Sequence, residues 1–268
     1  MTATASIAVP AGTDYGTPTL DAGPGGAAVA VLLVAHGSRD PRAAQATQAL
    51  ARAVAGAWPD GPVSVAYLDH AQPSVPLALV RLAAAGCRHA VVVPLLLTAA
   101  YHGRVDLPAV LARVRAAGLP LRVSPTGVLG PHGPAVDALL VVALRRRLGQ
   151  LRQPYDALVL AAAGTRDAAA RGSVAAVAAT LGMAAGVRCL PAYAAAAGPT
   201  PGEAVRRLRA GGARRVAVAS YFLAPGLLHD RATASAQGGG AAGVAAPLGA
   251  APELAQLVLA RVSATARA

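Results

Sequence analysis

The sequence predicts an α/β protein built from two tandem copies of one small parallel-sheet unit. Three observations carry that reading. Apolar runs of strand length alternate with longer helical stretches, the pattern of βαβ units. Two of the runs lead into histidine-bearing loops: Val31-Leu-Leu-Val-Ala-His-Gly-Ser-Arg-Asp40, and the segment from Val91 to Pro108 that contains His102. The chain also repeats itself. Leu33-Val-Ala-His-Gly-Ser-Arg-Asp40 returns as Leu160-Ala-Ala-Ala-Gly-Thr-Arg-Asp167, and Ala85-Gly-Cys-Arg-His-Ala90 returns as Gly211-Gly-Ala-Arg-Arg-Val216. The tyrosine and proline of Tyr67–Pro73 recur in register at Tyr193–Pro199.

The elements follow in order. Val29 to Ala35 reads as a strand. Asp40-Pro41 opens a helix, with Asp as N-cap and Pro at the first helical position, ending near Gly56. Val63 to Leu68 is a strand, Ser74 to Ala85 a helix and Ala90 to Leu97 a strand. Asp106-Leu-Pro108 opens a helix to about Ala117. Leu121 to Thr126 is a strand, and Gly133 to Leu148 a helix. Arg145-Arg-Arg147 reads as a solvated helix end, favoured there by the helix dipole. The break between copies falls near Arg147–Pro154, where a helix end, a glycine and a proline coincide. The second copy repeats the order. Ala232 to Gly243, rich in Ala, Gly and Ser, reads as a mobile loop over the sheet edge. The expected organisation is a disordered tail over residues 1–28, one unit over 29–150, and a second over 151–268.

Composition bounds the function. The 268 residues are 55% hydrophobic, enough for a substantial core. No unbroken apolar run approaches the roughly 20 residues of a membrane span, and residues 1–26 lack the basic start of a signal peptide. Cys87 and Cys189 sit in no metal-ligand or redox spacing, which reads as reduced thiols of a cytoplasmic protein. The net charge is +12 and all 24 basic residues are arginine. Codon usage explains that as well as function does. Aromatics are only 3% and no nucleic-acid-binding motif appears, so a polycarboxylate small molecule suits the guanidinium forks better.

The candidate site follows from strand ends. In a parallel sheet, ligands bind beyond the carboxyl ends of the strands. His36 ends the first strand, Asp69 the second, and His102 lies in the loop after the third. Imidazoles and a carboxylate can bind a first-row divalent ion or move protons near neutral pH. In copy two the matching residues are Ala163, Ala195 and Leu228, so the repeat keeps the glycines and loses the polar groups. Of the other histidines, His70 is expected to point to the opposite side of its strand. His89 and His132 read as surface residues, and His229 stands one position past the counterpart of His102. There is no nucleophile elbow, zinc-protease motif or phosphate-binding loop.

The segments Ala-His-Gly-Ser-Arg-Asp-Pro at 35–41 and Val-Pro-Leu-Leu-Leu-Thr-Ala-Ala-Tyr-His at 93–102, with Asp106-Leu-Pro108 after them, resemble the CbiX/SirB group of sirohydrochlorin chelatases. That group lies in the class II chelatase superfamily. The resemblance spans about residues 29 to 260. It implies two chelatase-like, Rossmann-like domains, the first catalytic and the second degenerate. It also implies a lyase that inserts Fe²⁺ or Co²⁺ into sirohydrochlorin without ATP or an organic cofactor, for siroheme or cobalamin synthesis. His36 and His102 match the working histidines and are expected to ligate the metal. Asp69 stands where the family commonly has glutamate. Arg39, Arg104 and Ser38 are expected to meet substrate carboxylates. No histidine- or cysteine-rich tail of the kind seen in some cobalt-inserting relatives is present, which favours iron. No nucleic-acid or membrane partner is expected, and monomer and homodimer stay open. The alternative is a divalent-metal carrier without catalysis.

Overall fold

The structure, a computed structural model, describes residues 29–98, 106–131 and 135–266. The expected tail over 1–28, His102, Arg104 and His132 lie outside the described residues.

The first sheet comprises β1 (Val29–Ala35), β2 (Val63–Tyr67), β3 (His89–Pro94) and β4 (Arg122–Pro125), alternating with helices α1 (Pro41–Ala55), α2 (Val75–Ala84), α3 (Leu107–Ala116) and α4 (Ala138–Leu148). The second comprises β5 (Ala157–Ala162), β6 (Arg188–Tyr193), β7 (Val216–Tyr221) and β8 (Gly243–Val244). Its helices are α5 (Ala168–Ala185), α6 (Pro201–Ala210), α7 (Leu227–Gly238) and α8 (Pro252–Ala266). Strand orders are β2-β1-β3-β4 and β6-β5-β7-β8, with parallel pairing throughout. The chain leaves β1 towards β2 on one side and returns to β3 on the other. The crevice beyond the ends of β1 and β3 is therefore a topological switch point.

Local chemistry sets the boundaries. The Asp40 carboxylate accepts from the Arg42 N–H, with Pro41 in the first turn of α1. Asp137 caps α4 through the Leu139 N–H, so α4 starts at Ala138 and not near Gly133. Thr200 and Glu203 form a reciprocal capping box on α6. Strand β3 ends at Pro94, three residues before the expected Leu97.

Alternation along the strands builds three apolar layers. Val31 and Leu33 of β1 join Leu158 and Leu160 of β5 in one core that runs through both copies. Ala30, Leu32 and Val34 face the other way, onto a core with Leu79 of α2 and Leu111 of α3. The third core lies under α6 and α7. The strands are buried on both faces, as helices on each side of a parallel sheet require.

The central layer exchanges helices between copies. Helix α8 packs on α1, α4, β3 and β4, while α4 packs on α5 and β7. Arg145–Arg147 is therefore not simply a solvated helix end. Arg146 makes a two-pronged ion pair with Glu253, whose side chain is 8% exposed, and Arg147 donates to the Leu248 carbonyl at 2.7 Å. The Arg146 guanidinium holds the Glu253 carboxyl below the usual carboxylate range.

The stretch expected to be a mobile loop is mostly helix α7, with Ala232 and Ala236 buried. Its small residues permit close packing. A Cβ on Gly202 of α6 would sit 2.4 Å from the Ser235 carbonyl oxygen, and one on Gly239 would sit 2.6 Å from the Gly202 oxygen. One described helix, α5, is long and apolar enough by length and composition to cross a membrane. Here it packs on β5, β6 and α4, and buries Val174, Val177 and Leu181.

The shared core predicts one cooperative unit. Leu257 of α8 is fully buried in it. Leu257→Ala is expected to cost about 2–5 kcal/mol. The urea transition followed by fluorescence of Trp58, which lies in copy one, should shift together with the far-UV circular dichroism. A Trp58 transition unmoved by this copy-two substitution would refute the exchange.

Candidate functional site

Beyond β1 and β2 the backbones stay zipped together. The Leu68 N–H donates to the Ala35 carbonyl at 3.0 Å and the Asp69 N–H to the His36 carbonyl at 2.8 Å. Contact is so close that only glycine fits at 37. Its φ is +96° and a Cβ there would lie 1.7 Å from the Asp69 oxygen. The chain then reverses. The Ala71 N–H donates to the Asp69 carbonyl and the Tyr67 N–H to the Pro73 carbonyl, with His70 at φ +60°.

That reversal corrects the expectation for His70. Its ring returns to His36, centroids 6.1 Å apart and nearly perpendicular. The Asp69 carboxylate turns towards His70. One oxygen accepts from the His70 N–H at 2.7 Å, and the other lies 3.3 Å from Nε2 of the ring. Strand periodicity misplaced His70 because the strand stops at Tyr67 and a left-handed residue does not continue the alternation. Ala195-Ala196, opposite Asp69-His70 in the repeat, was the available signal. Among the described residues, no three His, Cys, Asp or Glu side chains gather into a metal-ligand set.

Copy two reproduces the frame without the chemistry. Gly164 has φ +100° and its Cβ would lie 1.9 Å from the Ala195 oxygen. The Ala195 N–H donates to Ala163, Ala197 to Ala195 and Tyr193 to Pro199, and Ala196 has φ +62°. Ser38 and Thr165 play one role as well, each hydroxyl oxygen accepting the N–H of the capping aspartate, Asp40 or Asp167.

Between the copies lies a cavity of about 160 Å³, bordered by His36, Ser38, Thr47, Tyr67, Leu223 and Ala224. Tyr67, used above only to align the repeats, is 4% exposed. Its hydroxyl has no hydrogen-bond partner among the described residues, whereas the Tyr193 hydroxyl donates to the Arg171 carbonyl. Burial pushes the Tyr67 phenol up, so it stays a protonated donor available to a ligand.

The segment that leads towards His102 is anchored from three sides. The Leu95 N–H donates to Val34, the Leu129 N–H to Leu96, and the Tyr221 hydroxyl of copy two to Leu97 at 3.0 Å. Asp106, on the far side of that loop, has helical backbone angles at the start of α3.

Arg39 is exposed on the loop after β1. Arg42 crosses between copies, pairing with Asp40 and with Asp230 of α7. His229 does not border the cavity. It lies between Phe222 and Ser220, its Nδ1 3.5 Å from Asp230, with its side chain 13% exposed. His89 is half-buried and not a surface residue, its Nε2 3.0 Å from the Ser124 hydroxyl. Both cysteines are free and burial pushes both thiols up.

This is a duplicated parallel α/β protein in which the first copy carries His36, Asp69 and His70 at the strand ends where the second carries Ala163, Ala195 and Ala196. The CbiX family model matches residues 30–147 and, a second time, 157–265. The chain belongs to the CbiX family. It is 26% identical over 202 residues to the sirohydrochlorin ferrochelatase of Bacillus subtilis (strain 168), across 74% of this chain and 76% of that one. A sirohydrochlorin cobaltochelatase of Methanothermobacter thermautotrophicus is 35% identical over 83 residues, 31% of this chain and 57% of that one. The solved structure of SirB from Bacillus subtilis with Fe³⁺ superposes with a TM-score of 0.77 at 25% identity, covering 89% of this chain and 96% of that one. These relatives are metal chelatases, and the chain shares their enzyme class.

Burial holds the His229 and His89 imidazoles below their ordinary range, with Arg122 adding to the effect at His89. Asp230 opposes it at His229 without cancelling it. The unfolded chain therefore takes up these protons first as pH falls below about 6.5, and native stability drops with it. Melting temperature should fall between pH 7 and pH 5. His229→Gln should flatten the fall, checked by thermal denaturation at each pH. An equally steep fall in the variant would contradict the burial argument.

Proposed function

We propose that this chain inserts a divalent metal ion into sirohydrochlorin, with Fe²⁺ preferred to Co²⁺. The observation that carries the reading is the contrast between copies. One hydrogen-bond frame is built twice, and only the first carries His36, Asp69 and His70. The relatives' activities support the substrate. The relative that matches across 74% of this chain is a ferrochelatase, whereas the cobaltochelatase matches over 31% of it, which supports iron. The product would serve siroheme or cobalamin synthesis in the cytoplasm, where free thiols persist.

Insertion must strip water from the ion and remove two pyrrole protons. His36, on a rigid strand end beside the cavity, offers its one unprotonated nitrogen to the ion and, once the ion has passed to the ring, takes one pyrrole proton there, the second going to His102. His102 is its partner from the loop after β3. Asp69 engages the ring of His70, which lies edge-on to His36. The small and apolar residues of the cavity admit a flat ring edge, and the Tyr67 and Ser38 hydroxyls can donate to it. Arg39 and Arg104 take the carboxylates.

Anaerobic incubation with sirohydrochlorin and each metal, followed by absorbance, tests the function. Metallation faster than the uncatalysed rate is expected, with iron ahead of cobalt. Binding of metal without turnover would leave a carrier instead. His36→Ala and His102→Ala should each fold and lose on the order of 10²–10⁴-fold in rate. Wild-type rates in either folded variant would remove that residue from the mechanism.

Arg39→Gln and Arg104→Gln should raise KM for the macrocycle more than they lower kcat, the mark of uniform binding. Added salt should weaken wild-type affinity, since exposed pairs are screened over about 8–10 Å. If KM is unchanged by both substitutions and by salt, the arginines do not hold the substrate.

A further inference from the structure

We propose that Asp69 and His70 form a two-donor capture site for the divalent ion at the mouth of the site, from which the ion passes to His36. The inference rests on the chelatase reading and adds a residue to it. Two cis donors that bind one ion at about 2.0–2.2 Å stand about 3.0–3.4 Å apart. Nε2 of His70 and the facing oxygen of Asp69 are 3.3 Å apart. A shift of a few tenths of an ångström lets both hold one ion. The side chains are 39% and 63% exposed, so a hydrated ion reaches them from solvent. The other Asp69 oxygen is tied to the His70 N–H, which fixes the carboxylate plane relative to the ring.

The turn does not need this histidine. Ala196 occupies the equivalent place in copy two at φ +62°, against +60° for His70, with the same backbone hydrogen bonds around it. The imidazole is therefore an addition to a turn that forms without it. Its ring lies edge-on to His36, centroids 6.1 Å apart, a span an ion covers in one ligand exchange. No third His, Cys, Asp or Glu among the described residues completes the pair. Two protein donors, with water in the other positions, hold an ion weakly enough to release it. A relay needs that property and a storage site does not. The shorter Asp69 also acquires a role. Its carboxylate engages its chain neighbour, and His70 presents the second donor.

The test uses the full-length protein and Co²⁺ alone as probe. His70→Ala, the residue copy two carries in this turn, should fold with an unchanged circular dichroism spectrum. His70→Asn, tolerant of positive φ, serves as a second variant. Each should weaken Co²⁺ binding to the apo-protein by about tenfold or more, the scale of losing one supporting ligand contact, with a changed Co²⁺ absorption band. In turnover each should raise KM for the metal by a similar factor, leaving KM for sirohydrochlorin unchanged and kcat within about twofold. Co²⁺ affinity and spectrum identical to wild type in both variants would overturn the capture site. If both variants lose Co²⁺ while wild-type protein inserts no metal, the capture site stands and the chelatase reading fails.

Discussion

Everything at the functional end hangs on one backbone contact, the approach of Gly37 to the carbonyl of Asp69. A Cβ at 37 would meet backbone that cannot move aside, only 1.7 Å away. Because glycine permits the contact, β1 and β2 stay paired one residue beyond the sheet, and His36 and Asp69 bond main chain to main chain. Their side chains then emerge from neighbouring points of a rigid rim. Gly164 and Ala195 repeat the contact, with Ala163 and Ala195 in the places of His36 and Asp69. The frame thus belongs to the fold, and the chemistry is placed on it. Such a frame holds donors in position before a ligand arrives, which is where a metal-inserting site gains most.

The second constraint is the shared central core. The two sheets are joined by four helices, two of which cover strands of the opposite copy. Polar ties then fix the relative placement at several points. Tyr221 holds Leu97, Arg147 holds Leu248 and Arg146 holds Glu253. The cavity between the copies has walls set by interior packing and not by a hinge. Tyr221 matters most for function, because a residue of the degenerate copy anchors the segment from which the His102 loop departs. Copy two contributes position, even though it carries alanine where copy one has His36, Asp69 and His70.

Some of this was legible in the sequence. His36 and Asp69 could be located because each follows closely on a strand end, and because both become alanine in the repeat. The cap at Asp40 was read as such, whereas that at Asp137 was not, and it moved the start of α4 to Ala138. His70 was misplaced because period-two reasoning fails once the chain enters a left-handed turn. Helix α7 was mistaken for a loop because small residues signal close packing as well as looseness, and only Gly202 across the contact decides between them. Arg145–Arg147 do form the expected helix end, but the partners of Arg146 and Arg147 could not be read because they lie more than a hundred residues away. Tyr67 looked like a repeat marker until its hydroxyl proved buried without a partner among the described residues, unlike that of Tyr193.

The arginine excess now divides into parts. A net charge of +12 suggests one broad attractive field. The structure instead uses several guanidinium groups as pins, because a planar fork bonds carbonyls and carboxylates with little further ordering. Arg171 holds the carbonyls of Thr165 and Arg166, Arg209 holds Gly240, and Arg42 and Arg146 cross between copies. Those groups are committed before any substrate arrives. Arg39 and Arg42, three residues on, are both exposed, but only Arg42 has ion-pair partners among the described residues. The net charge thus overstates the charge left free to meet an anion, and Arg39, on the loop that follows His36, is one such group among the described residues.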